Sequence, residues 1–159
     1  MANKRIFLES RSGSTFYTLV GLSSQLKDYR LSFLINKLPG FDLVRFEDLM
    51  VSVPEAGDSV AFSVYTCSDE ENYNSYTLLS NRSSDHFLIP AFRQTDYLLL
   101  IEGPFKKQQM DRLLKTLRTI PEILLAAEIK PESIKQFESL VSDLELHVMK
   151  NIKKVTHIP

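Results

Sequence analysis

Three cations, Lys27, Arg30 and Arg82, are the residues of this chain whose types and spacing best suit binding. Lys27-Asp28-Tyr29-Arg30 follows Ser23 and Ser24 and opens a run that reads as a helix. A first turn with free backbone amides, two serine hydroxyls and two cations has the chemistry of an anion site. Arg82, in Asn81-Arg82-Ser83, adds a guanidinium from a loop. A structural role competes with this one: the cations pair with surface acids, and Asp28 favours the positive end of the helix dipole. Asp96 and Glu102 flank an apolar strand, where a carboxylate drawn out of water needs a partner. Arg30 or Arg82 would supply it.

Other chemistry finds less to build on. Cys67 is the one cysteine, has no histidine near it in sequence and sits at a strand end, which is the setting of a packing cysteine. Ser83-Ser84-Asp85-His86 holds the residue types of a catalytic triad. Sequence neighbours do not present triad geometry, however, and no nucleophile-elbow context surrounds the four. His86, His147 and His157 are far apart, without the paired spacing of metal ligands. Asp69-Glu70-Glu71 lacks the regular ligand spacing and the glycine of a calcium loop. No phosphate-binding loop or dinucleotide fingerprint is present, and five glycines leave little for cradling phosphates. The expectation is a protein that is not an enzyme and carries no cofactor and no metal.

A chain of 159 residues has the length of one domain. Folding at that size removes roughly 70% of the unfolded surface from water, enough for stability without disulfides or metals. The opening ten residues place only three apolar residues after Lys4 and Arg5, too short a run for a signal-peptide core. No apolar run approaches the ~18 residues of a membrane span. These features predict a cytoplasmic protein with no membrane partner. A net charge of −1 argues against nucleic acid as partner, since such domains carry a basic excess. Charge is uneven: Asp42 to Asp58 holds five acids and one arginine, and Lys106 to Arg118 holds five bases and one aspartate. Both read as solvated faces.

The elements that position these residues follow from periodicity. Phe16 to Leu22 is rich in β-branched and aromatic residues and reads as a strand. Lys27 to Lys37 is an amphipathic helix that Ser23 and Ser24 are suited to cap, and Pro39-Gly40 stops it. Phe41 to Phe46 reads as the next strand, and Val53 to Asp58 as a turn. Ser59 to Leu79 is a hairpin with a polar tip, and Asn81 to Asp85 a loop. Asp96 to Glu102 is the most continuous apolar strand and is predicted to be central. Met110, Leu113, Leu114 and Leu117 stripe a second helix, and Ile120 to Ala127 closes the unit as a strand. A third helix is predicted from Pro131, with Ile134, Phe137, Val141, Leu144 and Val148 packing on the sheet. Two strand–helix–strand units, Thr15 to Phe46 and Asp96 to Ala127, thus repeat about eighty positions apart.

Lys27 to Val44, Leu78 to Ser83, Leu88 to Gly103 and Ile120 to Ile129 together resemble a family of small bacterial proteins of uncharacterised function, named for an Ile-Pro-Glu…Val-Asp signature. The likeness runs from Phe16 to Glu132. Ile89-Pro90 and Asp96 match the ends of that signature, with Ala91 in the place of the glutamate and Thr95 in that of the valine; Ile120-Pro121-Glu122 is a second match to its opening. The resemblance implies a stand-alone cytoplasmic domain and carries no activity with it.

The sequence therefore predicts an α+β fold on a ferredoxin-like plan, with two β-α-β units and an inserted hairpin in one sheet and a third helix at the C-terminal end. Residues 1–13 are expected to form a mobile arm, 14–149 the domain and 150–159 a tail. Leu34, Leu99, Leu114 and Leu117 are expected in the core. The helices are expected on one sheet face, with the third helix or a second subunit covering the other. The expected role is a non-enzymatic module that self-associates or docks a protein partner. The alternative is a regulatory domain that senses a small anionic metabolite over Lys27, Arg30 and Arg82.

Overall fold

The computed structural model describes residues 17–53 and 57–156. The predicted arm, 1–13, lies outside them, as does the middle of the Val53–Asp58 turn. The chain forms strand β1 (Tyr17–Ser23), helix α1 (Asp28–Ile35), β2 (Val44–Val53), β3 (Asp58–Asp69), β4 (Asn74–Ser80) and the short strands β5 (Arg82–Ser83) and β6 (His86–Phe87). It continues through β7 (Tyr97–Glu102), α2 (Lys107–Leu117), β8 (Leu125–Ile129) and α3 (Phe137–Thr156). Six strands form one sheet in the order β2-β3-β4-β7-β1-β8, and β5 and β6 form a separate ribbon. Every ladder described in the large sheet is antiparallel. The fold of the described residues is thus α+β, with a six-stranded antiparallel sheet and three α-helices.

Helices lie on both faces of this sheet. In β7, Tyr97, Leu99 and Ile101 join the cluster containing Leu31 and Ile35 of α1 and Met110, Leu113 and Leu117 of α2. Leu98 and Leu100 join the cluster containing Phe137, Val141 and Leu144 of α3. Successive strand residues point to opposite faces, so α1 and α2 cover one side and α3 the other. The run from Tyr97 to Ile101 is buried throughout because both of its faces are packed, as its continuous apolar sequence predicted. The stripe read in the third helix does pack on the sheet. Leu99 and Leu117 are fully buried, whereas Leu34 and Leu114 are only half-buried at the margin of the core.

Four expectations about boundaries are corrected. The closing strand expected at Ile120–Ala127 is β8, Leu125–Ile129, which begins only after the turn at Pro121. The strand expected at Phe41–Phe46 runs from Val44 to Val53 instead. A bulge between Phe46 and Leu49 swallows Glu47 and Asp48 and shifts the alternation by one, so that Phe46, Leu49 and Val51 all pack toward α3. That parity switch hides the strand from a period-two reading. Pro131 opens a 3-10 turn, Pro131–Ser133, and not α3. Gln136 then takes φ 62°, and the helix begins at Phe137. At its far end α3 continues to Thr156, inside the range expected to be a tail.

Candidate functional site

Behind the end of β1 the chain turns through two serines that do not cap α1. The Ser24 hydroxyl accepts the Leu26 amide at 3.2 Å, and the Ser24 amide donates to Asp96 Oδ2 at 2.9 Å. The Ser23 hydroxyl donates to the Gln94 carbonyl. The N-cap residue of α1 is Lys27, in extended conformation, and no side chain caps the helix. Each serine is drawn to the 94–96 segment, which leaves the amino end of α1 open.

Asp28, in the first turn, is held by two groups from the sheet. Arg45 Nη1 donates to its Oδ2 at 2.6 Å, and the Tyr65 hydroxyl donates to the same oxygen at 2.8 Å. Arg45 Nη2 donates to Asp48 Oδ1 at 2.7 Å, and the guanidinium lies 5.6 Å from the centre of the Tyr65 ring. Burial raises the pKa of the Tyr65 phenol, so it stays a donor. Tyr97, from β7, donates its hydroxyl to the Leu26 carbonyl at 2.6 Å, and burial raises its pKa well above the usual phenol range.

Asn81 organises the opposite wall. It is fully buried. Its Nδ2 donates to the carbonyls of Phe92 and Thr95, and its Oδ1 accepts the Ile89 amide at 2.7 Å. Its backbone exchanges further bonds with Asp96 and Leu88. One side chain thus ties β4 to the loop that leads to β7. Next to it, Arg82 reaches to within 3.8 Å of Asp96.

Between these walls lies a groove of about 890 Å³ on the α1 side of the sheet. Its floor is Ser63 and Ser80, whose backbone amide and hydroxyl oxygen meet at 2.8 Å. The small residues of the floor and the end of α1 leave this corner of the sheet face without a helix over it. Lys27 and Arg82 line the groove, as does Arg45. Arg30 is exposed and lies outside that lining, so the structure brings together two of the three expected cations. Arg82, and not Arg30, is the partner of Asp96. Sequence reasoning missed Arg45, Asp48, Ser63 and Ser80; all four sit on strands or the bulge and reach the groove only through long-range pairing.

The remaining candidates take structural places. Cys67 is half-buried, and burial raises its thiol pKa, which lowers its reactive thiolate. Ser83 and His86 face each other across the β5–β6 ribbon, with Ser84 at φ 54° in its turn. His147 donates through Nε2 to the Glu47 carbonyl, fastening α3 to the β2 bulge. His157 lies outside the described residues. Among the described residues no group of three or more His, Cys, Asp or Glu is arranged to hold a metal ion.

A second groove, of about 1160 Å³, runs along the α3 side between the latter half of β2 and α3. Leu49, Val51, Leu140 and Leu146 line it, with Glu47, Asp143, Lys135 and Lys150 at its rim. Met50 and Leu146 are exposed. Comparison with protein-family models and with curated proteins returns no match. The resemblance to the Ile-Pro-Glu…Val-Asp family therefore rests on the residues quoted for it.

Proposed function

We propose that this chain is a non-enzymatic interaction module that takes a second polypeptide strand along the outer edge of β2, a second copy of itself in the first instance. The observation that carries the reading is that edge. Among the described residues β2 pairs only with β3, so from Leu49 to Val53 its outer side has no strand beside it. Charges guard its first half, where Arg45, Glu47 and Asp48 stand at the bulge. Leu49 to Val53 has no charge and no proline, the devices by which sheet edges avoid association. A strand added there would lay alternate side chains into the groove against α3, as in recognition by strand addition.

Further features support a module without catalysis. Arg45 of the first groove is held by Asp28 and Asp48 of the same chain. We read the connectivity as ferredoxin-like: β1 and β2 run in the same sense on either side of α1, as do β7 and β8 on either side of α2, with β3 and β4 as the added hairpin. No described helix is long and apolar enough to cross a membrane. We place the protein in the cytoplasm, beside the family whose signature it resembles, with neither nucleic acid nor membrane as partner.

Light scattering during a dilution series tests the reading. A dimer is expected at micromolar concentration. Met50→Lys with Ser52→Lys, at two exposed positions, is expected to give a folded monomer. A chain that is monomeric at every concentration, or a dimer indifferent to both lysines, overturns it.

A further inference from the structure

The groove over Ser63 and Ser80 is polar where small-molecule pockets are mostly apolar, and its polar groups are unevenly satisfied. Its carboxylates are engaged: Asp28 by Arg45 and Tyr65, Asp48 by Arg45, and Asp96 by the Ser24 amide. Its donors are not. Lys27 has no ion pair among the described residues. Arg82 is mostly exposed and stands 3.8 Å from Asp96, beyond hydrogen-bond reach. Ser24 and Ser80 are buried, and each hydroxyl accepts a backbone amide, but neither hydroxyl proton has an acceptor among the described residues. A hydroxyl has both a donor and acceptor sites, and a buried donor left unused costs stability. The amino end of α1, uncapped by any side chain, opens at the same place.

Donors from four elements thus converge on one groove whose three carboxylates each already hold a donor of the same chain. We propose that this groove binds a small hydroxylated oxyanion, a carboxylate or phosphate on a polyol frame. Lys27, Arg82 and the end of α1 take the charged group, and Ser24 and Ser80 donate to its oxygens. Lys27, Arg45 and Arg82 balance Asp28, Asp48 and Asp96 in formal charge, which suits a ligand of low charge over a polyphosphate. The volume of about 890 Å³ is within the range of small-ligand sites. This inference is independent of strand docking at β2.

Isothermal titration calorimetry with gluconate, glucose 6-phosphate and uncharged glucose tests it. Gluconate or glucose 6-phosphate is expected to bind and glucose to bind at least about tenfold more weakly, since hydrogen bonds to a charged group are roughly twice as strong as neutral ones. Which of the two binds better identifies the charged group. Lys27→Gln and Arg82→Gln, both at exposed positions, are expected to weaken binding about tenfold each without lowering the melting temperature, and Lys115→Gln on α2 to leave it unchanged. Absence of binding by both anions at millimolar concentration, equal binding of glucose, or binding indifferent to Lys27→Gln and Arg82→Gln overturns the proposal.

Discussion

Asn81 has no ionisable chemistry, yet it does more to shape the first groove than any charged residue there. Its side chain meets two carbonyls and one amide in a site closed to water. Asn81→Ala takes their partner from the Thr95 carbonyl and the Ile89 amide, while the Phe92 carbonyl keeps the Thr95 amide, and a buried polar group without a partner costs about 1–3 kcal/mol. Losses of this kind are not additive, so the variant is expected to lose at least about 2 kcal/mol in urea denaturation. A loss below about 0.5 kcal/mol, the scale of an ordinary surface substitution, would show that the loop is held by other contacts. Part of this corner was legible in the sequence: Lys27 lies at the opening of a helix, and Arg82 beside a carboxylate in need of a partner. The rest was not. Arg45 meets Asp28 only because β2 curls through a bulge beside α1, and Ser63 meets Ser80 only through the register of β3 on β4. No local pattern encodes either.

Elements were read best where packing on both sides or a long apolar stripe imposed a pattern. β7 is buried on both faces and its sequence is apolar at every position from Leu98 to Ile101. β2 was truncated because its bulge reverses the alternation, and α3 was started early because Pro131 is as well suited to a 3-10 turn as to an α-helix. The α2 stripe illustrates the limit of periodicity. Met110, Leu113, Leu114 and Leu117 share one face by spacing, but the helix sits so that Leu117 is sealed and Leu114 lies at the margin. Leu117→Ala is therefore expected to cost about 2–5 kcal/mol, as for other fully buried leucines. Leu114→Ala removes less buried surface and leaves a space that water or neighbours fill, so its cost is expected to be less than half as large. Equal losses for the two variants in urea denaturation would place Leu114 in the core after all.

For the whole molecule, sign and position of charge matter more than the net value of −1. The five bases between Lys106 and Arg118 look like a nucleic-acid footprint until their settings are separated. The buried face of α2 belongs to Met110, Leu113 and Leu117, so Lys107, Arg112 and Lys115 stand outward in water. Arg118 is turned back to the sheet, where its Nη2 donates to the Ala126 carbonyl at 2.7 Å. Asp111 sits between Lys107 and Lys115 at four-residue steps and cancels part of their field. A strand of nucleic acid also needs bases to stack on exposed rings, and the outward face of α2 supplies none. Phosphate contacts from three cations would give weak binding that falls steeply with salt. At about 150 mM salt, where charges farther apart than about 8 Å are screened, fluorescence anisotropy with mixed RNA and DNA is expected to show no sub-micromolar binding. Sub-micromolar binding that Lys107→Glu with Lys115→Glu abolishes would make this helix a nucleic-acid surface and reverse the assignment of partner.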